Sequence, residues 1–208
     1  FVIDGIEESC TLKNLSYGLR KEPDKVIESL RKFIARYEEW IEELTSVNSD
    51  LDSSSPEVKQ TLEECMLCSS RMREGVDLIE KDSVVRESFE LANLAMIMQN
   101  AHRSGQIKPC PNGGDFWEHY KNLEQDFQWR PFQLAFLLLS IEPIINPDSE
   151  HRETVDLIWF PTGGGKTEAY LGVAAFAILH RRISFPEEGG TTVLSRYTLR
   201  LLTAQQFE

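Results

Sequence analysis

Three consecutive glycines, Gly163 to Gly165, stand directly before Lys166 and Thr167. Glycines let successive backbone N–H groups turn towards an anion, and a helix that begins behind them adds the positive end of its dipole. In such a phosphate loop the lysine contacts the β- and γ-phosphates and the threonine hydroxyl binds Mg²⁺. We therefore predict an ATP and Mg²⁺ site with Lys166 and Thr167 as catalytic residues and Thr167 as the metal ligand.

The loop departs at one position from the general pattern of Gly, four residues, Gly, Lys and then Ser or Thr. Phe160 stands where that pattern has its first glycine. The phosphate-loop interpretation survives this change, because a triple glycine followed by Lys and Thr is not explained by a plain turn.

The elements around the loop follow the order strand, loop, helix, strand, helix. Two short apolar runs, at residues 155–160 and 190–195, are typical of buried strands, and helical sequence covers residues 166–182 and 198–208. This alternation predicts a parallel sheet with crossover helices. A strongly apolar helix that begins at Pro131 is predicted to stop before Pro143.

The chain ahead of that apolar helix has the spacing of amphipathic helices. Apolar side chains recur at steps of three and four over residues 24–46, 57–80 and 83–102, and more briefly over 116–127. The part up to residue 127 is therefore predicted to be α-helical. Its aromatic and aliphatic stripes indicate a core rather than a catalytic site.

The charge is concentrated in the helical part. The formal charge is −12; residues 1–150 carry 28 acidic and 16 basic side chains, whereas residues 151–208 carry six of each. An acidic surface disfavours unaided nucleic-acid binding, so we expect such contacts from the last 58 residues or from further sequence. For the helical region we expect partner docking or regulation.

Four cysteines are too few for a disulfide scaffold in a chain of 208 residues and fit a reducing compartment. Cys65 and Cys68 form a CxxC, which permits a zinc or a redox site, but its place inside a helical stretch favours two packed side chains. No apolar run approaches the roughly 20 residues that span a bilayer. We therefore expect a cytoplasmic protein with no membrane partner.

Two segments resemble the nucleotide-binding elements of superfamily-two helicases and translocases. PTGGGKTE, at residues 161–168, resembles their motif I, and RPFQ, at residues 130–133, resembles an Arg-Pro-Tyr-Gln element whose glutamine reads adenine. The nucleotide contacts that this resemblance implies are Arg130, Gln133, Thr162, Gly163, Gly164, Gly165, Lys166, Thr167 and Glu168.

A third segment resembles motif Ia of these motors, which lies against the nucleic-acid backbone. Arg200, Leu202 and Gln205 match its Arg-x-Leu-x-x-Gln pattern, although Thr198 and Leu199 replace the usual Pro-Thr. The implied nucleic-acid contacts are Arg196, Tyr197, Arg200 and Gln205. The alternative is a solvated helix start.

The sequence from about residue 57 to residue 208 is similar to the helicase subunit of the DISARM phage-defence system, the DrmA family. The resemblance implies an ATP-dependent DNA helicase or translocase that works with other subunits of a defence complex. It also implies a mixed fold, with an α-helical N-terminal region over 1–127. The first part of an α/β P-loop (RecA-like) motor domain follows over 128–208, with an incomplete parallel sheet truncated after motif Ia.

Hydrolysis in these motors also needs an Asp-Glu pair after a later strand. The acidic residues beyond the glycines are Glu168, Glu187, Glu188 and Glu208, and none of them ends an apolar run. We therefore expect this fragment alone to be inactive. An RNA helicase, a restriction-type DNA translocase and a non-hydrolysing nucleotide-dependent scaffold remain alternatives.

Overall fold

The structure is a computed structural model that describes residues 7–49, 55–123, 125–159 and 163–196. Helices account for most of these residues. Within those ranges the chain order is α1 (Glu7–Cys10), a π-helix (Asn14–Gly18), α2 (Leu19–Lys21), α3 (Pro23–Ser49), α4 (Pro56–Lys81), α5 (Ser83–Arg103), α6 (Phe116–Tyr120), α7 (Pro131–Ile145) and α8 (Lys166–Ser184). The predicted long helices at 24–46, 57–80 and 83–102 are confirmed as α3, α4 and α5.

Side-chain caps fix where three of these helices begin. Asp82 accepts hydrogen bonds from the backbone N–H groups of Val84 and Val85 at the start of α5, at 2.8 and 3.1 Å. Ser55 caps α4, and Asp115 caps α6 in the same way. Each cap satisfies N–H groups that have no partner inside the helix, so the polar breaks in the sequence set the boundaries.

The helix predicted over 116–127 is wrong beyond α6, which ends at Tyr120. The following segment pairs instead with the start of the chain. Leu12 donates its backbone N–H to the Phe127 carbonyl at 2.9 Å, and Trp129 donates to the Cys10 carbonyl at 2.8 Å. These bonds to a distant segment replace the bonds that would have continued the helix.

The predicted end of α7 before Pro143 is also wrong, because the helix continues to Ile145. A proline has no N–H to donate to the carbonyl four residues earlier, which here belongs to Leu139. The Arg71 guanidinium donates to that carbonyl at 3.4 Å. At the C-terminal end, the Arg152 side chain donates to the carbonyls of Pro143 and Ile144. Arg71 thus satisfies the carbonyl that Pro143 leaves open, and Arg152 satisfies two carbonyls of the last helical turn, which have no donor inside the helix.

The predicted mixed α/β fold, with the start of a RecA-like sheet, is wrong. The described residues contain no strand, and the only pairing of strand type among them is an isolated bridge between Thr11 and Gln128. In the two apolar runs predicted as strands, Val155, Trp159 and Leu194 are about nine-tenths exposed. A strand needs a neighbour to satisfy its N–H and C=O groups, and within these ranges neither run has one. The described fold is therefore all-helical.

One hydrophobic core joins residues from both sides of the predicted boundary at 127 and 128. It contains Phe89 of α5, Leu138 of α7 and Phe176 of α8, each fully buried. α4 packs against α3 and α7, while α8 packs against α5 and α7. The division into domains at that boundary stays a prediction. None of the described helices is both long and apolar enough to cross a membrane.

A glycine allows α4 and α7 to approach closely. A Cβ built on Gly75 would lie 2.2 Å from the Leu138 carbonyl oxygen, well inside van der Waals contact with backbone that cannot move aside freely. The helix pair therefore depends on the absence of a side chain at this position.

We expect Gly75→Ala to lower the free energy of unfolding of this chain by about 1–3 kcal/mol, because α4 must move away from α7. Urea denaturation followed by circular dichroism measures the change. Gly189→Ala is the control, since a Cβ at Gly189 meets nothing within 4 Å. Equal stability of Gly75→Ala and the wild type would contradict the close approach.

Candidate phosphate-binding site

The glycine loop leads directly into α8. Gly163 and Gly165 have φ angles of 78° and 84°, in the left-handed region that disfavours residues with a Cβ. Gly165 is the N-cap residue of α8, so Lys166 and Thr167 form its first turn. The positive end of the helix dipole therefore lies at the loop. The predicted helix behind the glycines is confirmed.

Two side chains at the start of α7 hold the loop from one side. The Arg130 guanidinium donates to the Gly164 carbonyl at 2.9 Å, and the Gln133 amide nitrogen donates to the Gly165 carbonyl at 2.6 Å. Both bonds engage loop carbonyls, which would repel a phosphate if they faced it. The loop is thus fixed through its acceptors, and its N–H groups are not used in these bonds.

The two faces of the loop differ in how closely they are packed. A Cβ on Gly165 would lie 2.5 Å from the Gln133 amide nitrogen, whereas a Cβ on Gly163 would meet nothing within 4 Å. Lys166 is half-buried and Thr167 is exposed. The open side at Gly163 and the accessible Thr167 hydroxyl fit the space and ligand type that a phosphate with Mg²⁺ requires.

Gln133 is bound at both ends of its amide. Its oxygen accepts from the Arg130 backbone N–H at 2.7 Å while its nitrogen holds Gly165, and the residue is only 4% exposed. Here the amide joins the first turn of α7 to the loop. Its predicted role as adenine sensor stays a prediction.

Glu168, one turn into α8, contacts the helical body. Its carboxylate lies 3.3 Å from the Arg103 guanidinium at the end of α5. The Arg103 side chain is 63% exposed, so this ion pair contributes little to stability. It nevertheless shows that the α5 terminus reaches the candidate site.

Trp129, directly before Arg130, fixes where α7 begins. Its indole N–H donates to the Asn93 side-chain oxygen at 2.8 Å in the core. A Cβ on Gly172 of α8 would lie 2.8 Å from the indole ring. The ring therefore sits between α5 and α8 and places Arg130 beside the loop. A lone Asn in an apolar helical stripe is the sequence signal that could have pointed to this contact.

An ion pair between a buried arginine and a partly exposed aspartate anchors the segment that precedes the loop. Arg71 of α4 is 3% exposed and donates two hydrogen bonds to the Asp156 carboxylate, at 2.6 and 2.7 Å. These bonds raise the pKa of Arg71, so it remains charged. Sequence reasoning missed the pair, because the two residues are 85 positions apart and neither belongs to a recognisable motif.

Other predicted site residues are only partly covered by the structure. Arg196 is exposed, as a nucleic-acid contact would need to be. Thr162, Tyr197, Arg200 and Gln205 lie outside the described residues, as does Phe160. The structure therefore brings together Arg130, Gln133, Gly163 to Gly165, Lys166, Thr167 and Glu168, and the nucleic-acid contacts stay predictions.

The CxxC lies on α4. Cys65 and Cys68 are half-buried free thiols, and burial raises the pKa of Cys68. Burial and a side-chain hydrogen bond with Cys65 raise the pKa of the neighbouring Tyr37. Across the described ranges, no cluster of three or more His, Cys, Asp or Glu side chains is placed to hold a metal ion.

Comparison with known proteins identifies a relative. No protein-family profile matches the chain. The chain is 36% identical over 190 residues to the DISARM protein DrmA of Bacillus paralicheniformis, in an alignment that covers 88% of this chain. The chain is therefore related to this DrmA protein over most of its own length. This similarity confirms the resemblance predicted from the glycine loop and its flanks.

The chain corresponds to a small part of that relative. The alignment covers 16% of the length of the Bacillus protein. It includes most of the helical body as well as sequence around the loop, because it extends over nearly nine-tenths of the present chain. The relationship is therefore not restricted to a short motif.

We expect Asp156→Ala to lower the free energy of unfolding by about 1–3 kcal/mol, because it leaves the buried Arg71 guanidinium without its charged partner. Asp126→Ala is the matched control, since its 3.8 Å pair with Lys13 is about half exposed on both sides. The control should change stability by no more than about 1 kcal/mol. Equal effects of the two variants in urea denaturation would contradict the anchoring role of Arg71.

Proposed function

We propose that the glycine loop binds the phosphates of ATP with Mg²⁺ in the full-length protein. The observation that carries this proposal is a left-handed glycine loop that enters α8 at Lys166 and is tied by its carbonyls to Arg130 and Gln133. Because these bonds already fix the conformation of the loop, anion binding does not carry the entropic cost of ordering it, and this favours binding.

Each residue of the loop has a chemical role in this proposal. Lys166 places its ammonium group against the β- and γ-phosphates, and the Thr167 hydroxyl is the protein's ligand for Mg²⁺. The N-terminus of α8 contributes N–H donors and the positive end of its dipole. Bound Mg²⁺ would neutralise phosphate charge, while Arg130 and Gln133 keep the loop carbonyls turned away.

We further propose that the full-length protein is an ATP-dependent DNA helicase or translocase in a multi-subunit DISARM defence complex. The similarity to a DISARM protein DrmA supports the link to defence. The resemblance of residues 130–133, 161–168 and 200–205 to helicase elements supports the motor activity. In this arrangement Arg196, Tyr197, Arg200 and Gln205 contact the nucleic-acid backbone.

The test is Lys166→Ala in the full-length protein. We expect nucleic-acid-stimulated ATP hydrolysis to fall on the order of 100-fold or more, because the variant loses the positive charge at the transferred phosphate. Lys121→Ala is the control, since Lys121 pairs with Glu118 on an exposed surface. Steady-state phosphate release measures both variants, and unchanged turnover in Lys166→Ala would contradict the assignment.

The polymer that stimulates hydrolysis separates the alternatives. In the same assay, stimulation of the wild type by single-stranded or duplex DNA supports the DNA motor, and stimulation by RNA alone supports an RNA helicase. If the protein binds ATP but hydrolyses it with none of these polymers, the result supports a nucleotide-dependent scaffold.

A further inference from the structure

α3 and α4 form a long helical hairpin whose outer end has little buried surface. Among the residues of α3 up to Ser46, whose burial the structure describes, the last buried one is Ile41. In α4, which begins at Pro56, burial starts only at Ser69. Residues 37–46 and 55–68, hereafter the outer hairpin, therefore contribute few side chains to the core.

A groove of about 650 Å³ runs along the hairpin at this end. Its walls include Ile41, Glu42 and Thr45 of α3, and Met66, Ser69 and Ser70 of α4. Met66 is 61% exposed and the adjacent Leu67 is 46% exposed. The groove thus offers an apolar surface to solvent, and a flexible thioether in its wall can adapt to different apolar side chains.

The same part of the hairpin carries a strong negative charge. The outer hairpin has seven acidic residues and a single basic one, Lys59, so it holds half of the formal charge of −12. The charge of Glu38 is neutralised by Arg73, whose Nε donates a hydrogen bond of 2.6 Å to the Glu38 carboxylate across the groove. Among the described residues no ion pair engages Glu42, Glu43 or Glu63.

We propose that this groove docks a basic amphipathic helix of a partner protein. Apolar side chains of that helix would contact Ile41 and Met66, and its lysines or arginines would face the glutamates on the rim. The charge complementarity selects this occupant. Nucleic acid, anionic lipid and a second copy of this acidic chain would all place like charges together.

The probe for the test is a synthetic 18-residue helical peptide with leucines at i, i+3, i+4 and i+7 spacing and lysines at the other positions. We expect the full-length protein to bind it, with affinity that falls as salt is raised. Fluorescence anisotropy measures the binding. Two further peptides are compared: one in which glutamates replace the lysines, and one with the same composition in scrambled order.

Glu42→Lys with Glu43→Lys should weaken binding at least about tenfold, because the attractive charge of Glu42 in the groove wall and that of the adjacent exposed Glu43 both become repulsive. Met66→Ser should also weaken it through loss of apolar contact. Glu187→Lys with Glu188→Lys is the matched control: it changes the net charge equally at a site outside the hairpin, and we expect unchanged binding. Circular dichroism checks that each variant is folded.

Three results would overturn the proposal. The first is absence of binding to the lysine peptide. The second is equal binding of the scrambled peptide, or equal weakening in the Glu187 and Glu188 control, either of which indicates non-specific charge attraction. The third is a dimer in analytical ultracentrifugation that Met66→Ser dissociates, which would assign the groove to a second copy of the chain.

Discussion

The buried amide of Gln133 connects the helical body to the glycine loop. One end bonds the first turn of α7 through the Arg130 N–H, and the other bonds the Gly165 carbonyl. Leaving one end of a buried amide without a hydrogen bond costs about 1–3 kcal/mol of folding free energy. Loss of either bond is therefore unfavourable, and this keeps α7 and the loop in fixed relative positions. The loop therefore takes its shape from α7 as well as from its glycines.

The position of α7 depends in turn on contacts with the helices upstream. Trp129 bonds Asn93 in α5, and Arg71 in α4 binds both Asp156 and the carbonyl that Pro143 leaves open. The acidic helical region is thus part of the support of the candidate site. A partner bound to the outer hairpin would contact the same helix, α4, that anchors the segment before the loop.

Local patterns predicted the long helices α3, α4 and α5 and the start of α8 behind the glycines, because caps and periodic apolar side chains act over a few residues. The strands at 155–160 and 190–195 were wrong, since an apolar run becomes a strand only where a neighbour supplies hydrogen bonds. The contacts of Arg71 and Trp129 could not be predicted, because each joins residues far apart in sequence. The double use of the Gln133 amide was also hidden, because the sequence predicted a different role for it, that of adenine sensor, which stays a prediction.

Hydrogen exchange measured by mass spectrometry, with and without ATP and Mg²⁺, tests the central claim most directly. If the glycine loop of the full-length protein binds the phosphates, we expect the amides of residues 163–168 to exchange more slowly when the nucleotide is bound. The peptide that covers α6 should exchange at an unchanged rate. Unchanged exchange over residues 163–168 at a nucleotide concentration that saturates the protein would contradict the claim.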